Sequence, residues 1–235
     1  MADQIPFDAN APLPPVPAGF GAVEFADNPE PRCPCLLLLD TSSSMRGEPI
    51  TELNAGMQAF KDELMADSLA AKRIEIAVVG FGPAKLLSPF QTAEEFQAPT
   101  LVAAGDTPMG AAISLGLETL RQRKELYRAN GIAFYRPWVF LITDGGPTDP
   151  WKEAAAKVQE GEGQKSFAFF AVGVQGANLD ALKQIATRAP LKLDGLKFRS
   201  LFQWLSNSMK SVSQSTPGDV VLLENPATPG GWAAV

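Results

Sequence analysis

Four consecutive leucines, Leu36–Leu39, run into Asp40. An all-apolar run this short predicts a strand covered on both faces. Helical spacing then takes over. Ile50, Leu53, Met57, Phe60 and Leu64 recur at steps of three and four, with Pro49 in the first turn. Ile74–Phe81 predicts a second strand, which Gly82-Pro83 turns into a hairpin with Lys85–Ser88. A helix starts at Pro108, carries Ile113, Leu117 and Leu120, and is capped at Asn130-Gly131. Trp138–Thr143 predicts the third central strand. Trp151, Ala154, Ala155 and Val158 mark a short helix, with Asp149 as its N-cap and Pro150 at the first helical position. Phe167–Val174 predicts the fourth strand, and Leu179, Leu182 and Ile185 face inward on the next helix. Leu191–Leu193 reads as a short edge strand. Phe198, Leu201, Phe202, Leu205, Met209 and Val212 then give the most regular helical stripe of the chain.

Strands alternating with helices imply βαβ units, and so a Rossmann-like three-layer α/β architecture. The sheet is expected to be mostly parallel, with helices on both faces and one antiparallel edge hairpin strand. Three regions are expected: a Pro-rich arm over 1–32, a folded domain over 33–215 and a tail over 216–235. Eight of the 20 prolines fall within residues 1–34, where Ala22–Phe25 is a candidate strand in an otherwise extended leader. In the tail, Pro and Gly surround Trp232, a side chain costly to leave in water and therefore expected to dock.

Composition removes several functions. The chain has no histidine, which excludes a Ser-His-Asp or Cys-His catalytic arrangement and any imidazole zinc site. The two cysteines, Cys33 and Cys35, share one face of a strand at a separation of about 6.5 Å, unsuited to a disulfide, and read as small buried residues. Twenty basic against 26 acidic residues, with no basic run, argue against nucleic acid as a partner. No apolar stretch approaches the roughly 18 residues that cross a bilayer. The N-terminus has neither the positive start nor the apolar run of a secretory signal, so a cytoplasmic location is expected.

In such a sheet the ligand crevice lies beyond the carboxyl ends of the strands. Three polar loops fall there: Asp40-Thr41-Ser42-Ser43-Ser44 after the first strand, Gly105-Asp106-Thr107-Pro108 before a helix, and Asp144-Gly145-Gly146 after Trp138–Thr143. Together they supply hard oxygen donors without nitrogen or sulfur, a set suited to Mg²⁺, with Mn²⁺ or Ca²⁺ as alternatives. Each residue also has a plainer reading. Asp40 can end a strand, Ser42 and Ser44 can form a turn, Asp144 can initiate an Asp-Gly turn, and Thr107 can cap the helix behind Pro108.

Asp40-x-Ser42-x-Ser44, Thr107 and Asp144-Gly145 resemble, in order and spacing, the metal-ion-dependent adhesion site of von Willebrand factor A domains. The resemblance covers roughly residues 33–215. The strings LLLLDTSSSMRGEPITELNAGMQAF and VFLITDGGPTDPW look most like a bacterial tellurium-resistance subgroup of that family. It implies that Ser42, Ser44 and Thr107 ligate a metal directly, and that Asp40 and Asp144 act directly or through water. A partner protein would then donate an Asp or Glu carboxylate. It further implies a non-catalytic adaptor in a stress-response or defence assembly with kinase and phosphatase partners, or alternatively a cofactor of an AAA+ ATPase. Where relatives usually carry glycine before the threonine, this chain has Asp106. Its carboxylate either adds a water-mediated contact or repels an incoming acidic group.

The same residues bear on two other function classes. A phosphatase using Asp40 as nucleophile would resemble the haloacid dehalogenases, but Ser42 stands where a second aspartate is wanted. No Lys or Arg lies in the loop near Asp144 to hold a phosphate. A nucleotide site is disfavoured because neither G-x-G-x-x-G nor G-x-x-x-x-G-K occurs.

Overall fold

The computed structural model describes residues 25–223, 225–227 and 231–234. In chain order the elements are β1 (Cys33–Asp40), α1 (Glu48–Met65), α2 (Ser68–Arg73), β2 (Ile74–Phe81) and β3 (Ala84–Thr92). They continue with α3 (Met109–Ala129), β4 (Trp138–Thr143), α4 (Lys152–Gly163), β5 (Ala168–Gly173), α5 (Leu179–Ile185) and β6 (Leu191–Leu193). The last two are α6 (Phe198–Ser213) and β7 (Ala233–Ala234). They build one sheet in the order β3-β2-β1-β4-β5-β6-β7. The five inner strands are parallel to their neighbours, while β3 and β7 run antiparallel at the two edges. The expected fold class is therefore the observed one, with a second antiparallel edge added by β7.

The leucine run of β1 is apolar throughout because both faces of the sheet are covered. Cys33, Cys35, Leu37 and Leu39 enter one hydrophobic cluster, with Leu53, Met57, Phe60 and Leu64 of α1 and Phe198, Leu201, Phe202 and Leu205 of α6. Leu36 and Leu38 enter the other cluster, with Ile113 and Leu120 of α3, Val158 of α4 and Leu182 of α5. Both cysteines are free and fully buried. Burial raises both thiol pKa values, that of Cys33 to about 12.

At the amino ends of the strands, Glu75 lies fully buried and pairs with Arg32 and Arg123. The Tyr127 hydroxyl donates to the same carboxylate. Phe25 covers both guanidinium groups, at 5.3 and 5.1 Å from its ring centre. Phe25 belongs to a helical turn over 25–27, so the strand expected at Ala22–Phe25 is not formed there, and the rest of that stretch lies outside the described residues.

At the far edge, β7 pairs with β6, so Leu191–Leu193 is a strand as expected but not an edge. Trp232 is 2% exposed and packs edge-to-face on Trp204 with ring centres 5.6 Å apart. The docking expected of this tryptophan thus takes place within the chain.

The chain leaves β1 toward β2 on one side and leaves β4 toward β5 on the other. Adjacent β1 and β4 therefore form the topological switch point, where a crevice opens beyond the carboxyl ends of the strands.

Candidate metal centre

Asp40 is the last residue of β1, and Thr143 is the last of β4, the neighbouring strand. The Thr143 hydroxyl donates to Asp40 Oδ2, and the Ser42 backbone N–H donates to Asp40 Oδ1 at 2.8 Å. Asp40 is thereby fixed at both oxygens while fully buried. Burial raises its pKa above the ordinary carboxylate value, and nearby Asp144 pushes it further in that direction. The hydrogen bonds from Ser42 and Thr143 only partly offset this.

Beyond Ser42 the chain makes a single 3₁₀ turn over Ser43–Met45, which sets the Ser44 hydroxyl 2.9 Å from that of Ser42. Ser44 in turn donates to Asp144 Oδ1 at 2.7 Å, across 100 residues of sequence. The turn itself is held by the Gly105–Pro108 loop, because Ser43 N–H donates to the Gly105 carbonyl at 2.9 Å. Behind it, Gly82 is required by space: a Cβ there would sit 2.4 Å from the carbonyl oxygens of both Thr41 and Ala104. Met45 is fully buried, so only Arg46 to Glu48 of the loop beyond Ser44 reach solvent.

Thr107 is 7% exposed and faces the Asp144 loop, with its hydroxyl 3.6 Å from where a Cβ on Gly145 would stand. The structure reassigns the cap of α3. Met109 N–H bonds the Thr107 carbonyl at 2.8 Å, and Ala112 N–H bonds the Pro108 carbonyl at 3.1 Å. The two amides between them, Gly110 and Ala111, donate to Asp149 Oδ1 and Oδ2 at 2.9 and 2.7 Å. The Thr107 hydroxyl therefore does not serve as the N-cap, contrary to the local sequence pattern. Nor does Asp149 cap its own helix, since α4 starts at Lys152 behind Trp151, which makes no side-chain cap bond. Asp106 is exposed on the rim.

The structure thus brings Asp40, Ser42, Ser44 and Asp144 into one hydrogen-bonded chain, with Thr107 facing the Asp144 loop. Two carboxylates and three hydroxyls gather at the switch point. None of the ion pairs among the described residues involves Asp40 or Asp144. Nor does any cluster of three or more His, Cys, Asp or Glu side chains among them suit a metal, so a cation here would depend on the hydroxyls. This donor set fits a hard divalent ion, because it is all oxygen and its negative charge has no basic side chain paired with it. Sequence reasoning missed Thr143, which orients Asp40, and the bonds that Thr148 and Asp149 make to the Thr107 loop.

The von Willebrand factor type A domain family model matches residues 36–196, and the chain belongs to that family. Comparison with curated proteins gives no match. Among solved structures, the von Willebrand factor domain of the type V pili tip protein Mfa5 from Porphyromonas gingivalis is similar at 12% identity and a TM-score of 0.57, covering 82% of this chain and 99% of that one. The pilus adhesin SpaC from Lactobacillus rhamnosus GG, in its open conformation, is similar at 14% identity and a TM-score of 0.59, covering 78% of this chain and 30% of that one. Proximal thread matrix protein 1 from the mussel byssus, with a zinc-occupied MIDAS motif, is similar at 18% identity and a TM-score of 0.53, covering 77% of this chain. This chain spans 48% of that mussel protein's length. At these identities the likeness is one of fold.

Proposed function

We propose that the chain is a non-catalytic, metal-dependent protein-binding module whose metal is held by Asp40, Ser42, Ser44, Thr107 and Asp144. The observation that carries the reading is the convergence of two carboxylates and three hydroxyls with no ion-paired base among the described residues. Neutral hydroxyls would leave a divalent ion under-neutralised, and its remaining position would favour an anionic oxygen, an Asp or Glu carboxylate of a partner protein. The zinc-occupied motif of the similar mussel protein supports a divalent ion in this fold. Mg²⁺ is the ion proposed here, on the hardness of the oxygen donors. Packing around Arg46–Glu48 and Gly145–Thr148 would supply the rest of the affinity.

The finer assignment, to a bacterial tellurium-resistance type of assembly in the cytoplasm with kinase and phosphatase partners, rests on the two sequence strings alone. An AAA+ ATPase is the other partner class it admits. Among the described residues no helix is long and apolar enough to cross a membrane.

Affinity capture from lysate with and without a chelator, followed by mass spectrometry, tests the reading. Partners released by chelator and lost in Asp40→Ala support it; partners retained in both overturn it. Sustained Mg²⁺-dependent turnover of a generic phosphate ester, abolished in Asp40→Asn, would replace the binding module with an enzyme.

A further inference from the structure

Thr107 and Asp144 reach the site from separate loops, and a seam of hydrogen bonds joins those loops just behind them. Thr107 N–H donates to the Thr148 hydroxyl at 3.1 Å, and Thr148 N–H returns a bond to the Thr107 carbonyl at 3.0 Å. One residue further on, both oxygens of Asp149 accept from Gly110 and Ala111. The seam is also tight. A Cβ on Gly110 would lie 2.4 Å from the Pro150 carbonyl oxygen and 2.8 Å from Trp151 Cα, so only glycine lets the two loops close.

A helix needs only a local Ser, Thr, Asp or Asn to satisfy its first amides. Here the cap comes instead from one residue, Asp149, which lies 39 and 38 positions beyond the two amides it accepts from, on the loop that also carries Asp144. Two acceptor oxygens on adjacent amides fix the helix end in both translation and rotation relative to that loop. The reciprocal Thr107–Thr148 pair does the same for the backbone of Thr107 itself.

We infer that Thr148 and Asp149 are positioning residues of the metal site, which hold the Thr107 hydroxyl in register with Asp144 so that the two loops act as one body. This rests on the proposed metal site. A partner that pressed on Gly145–Thr148 would then act on Thr107 as well, through the seam.

The test is Mn²⁺ affinity by calorimetry alongside thermal unfolding in chelator, in the full chain. Thr148→Val removes the hydroxyl at nearly constant shape, Thr148→Ser restores it, and Asp149→Asn removes one of the two acceptors. Groups that orient metal ligands from behind usually change affinity 10- to 100-fold when mutated. Thr148→Val and Asp149→Asn should therefore weaken Mn²⁺ binding roughly tenfold or more, and Thr148→Ser should bind as wild type does. Unfolding in chelator should shift by only roughly 2–4 °C, the scale of one lost cap in a chain of this size. If both variants melt lower but bind Mn²⁺ as wild type does, the seam is a cap and nothing more, and the inference falls alone. If wild type takes up no Mn²⁺, the metal-site reading falls and the inference with it.

Discussion

Replacing Asp40 by Asn should reverse its effect on stability between chelator and excess metal. Asp40 is fully buried, and its ionised form is opposed by desolvation and by Asp144. Asn preserves the shape and keeps an acceptor for the Ser42 N–H that now bonds Oδ1 at 2.8 Å. Its amide nitrogen faces the Thr143 hydroxyl, which would have to accept a bond instead of donating one. One imperfect neutral hydrogen bond costs about 1 kcal/mol, while loss of a buried charge acts in the opposite direction. In chelator the variant should therefore lie within about 1 kcal/mol of wild type, or above it. With metal at 100 times its dissociation constant, wild type gains about 2.7 kcal/mol by mass action, a rise of roughly 5–11 °C for a chain of this size. The Asp40→Asn variant should gain far less.

The pH dependence gives the same residue a second check. A raised carboxyl pKa means that the folded chain holds a proton at Asp40 where the unfolded chain has already lost it. In chelator, the contribution of this group is therefore fully present below the ordinary value of 3.8 and is lost as pH rises through the raised value. The stability difference, variant minus wild type, should grow with pH across that window and then level off. Urea unfolding in chelator and in saturating Mg²⁺, over a series of acidic buffers, measures both effects. A difference that is flat with pH, or an equal metal gain in the two proteins, would refute the reasoning.

Trp232→Ala should cost about 3 kcal/mol, at the low end for a buried tryptophan because the loss is bounded by how strongly the tail docks; a thermal midpoint within 1–2 °C of wild type (roughly half a kcal/mol for this size) would show that the tail adds nothing to the core. Glu75→Ala strips two buried guanidinium groups of the carboxylate they share, and should destabilise by about 3–5 kcal/mol in denaturant melts. Gly56→Ala would bring a Cβ within 2.7 Å of Phe202 Cδ2 and 3.2 Å of the Phe198 backbone. Overpacking between α1 and α6 should then cost about 1–3 kcal/mol, and an unchanged midpoint would mean that these helices separate freely.

The layered fold was legible because each central strand is apolar on both faces and each helix keeps one buried stripe. Leu36–Leu39 shows this directly, since alternate leucines serve opposite clusters. The candidate metal site was legible for a topological reason: residues just past the ends of adjacent parallel strands must meet at the switch point, however far apart they lie in sequence. What the sequence hid were bonds without local periodicity. Asp149-Pro150-Trp151 has the local form of a helix start, so its carboxylate reads as the cap of α4. Only the folded chain reveals that α3 lies closer to it. Thr143 was hidden in the same way, because a threonine ending an apolar strand has no mark of its own until Asp40 stands beside it. The β7 strand is two residues long, too short for alternation to register.

The hydrogen-bonded chain through the site bears on how tightly metal can be held. Ser42, Ser44 and Asp144 already satisfy one another at 2.9 and 2.7 Å, and Thr143 and Ser42 satisfy Asp40. The carboxylate lone pairs of Asp40 and Asp144 that would face a cation are therefore partly engaged within the protein. A hydrogen bond to a charged group is worth about 1.5–3 kcal/mol, so giving up the Ser44–Asp144 bond subtracts on that scale from the binding free energy. Two consequences follow together. The fold should not depend on metal, so near-ultraviolet circular dichroism should be unchanged by chelator. Metal affinity should also be modest and sensitive to that one bond. In Asp144→Asn the competing Ser44 bond would weaken, which favours metal, but the site would lose half its carboxylates, and the lost charge outweighs that relief. Binding should then fall by at least tenfold, since a change of about 1.4 kcal/mol already corresponds to that factor, while the unfolding midpoint in chelator should drop only by the difference between a charged and a neutral hydrogen bond, about 1 kcal/mol or roughly 2–4 °C. Collapse of the near-ultraviolet signal on adding chelator would show the opposite design, one in which the metal and not this network organises the loops.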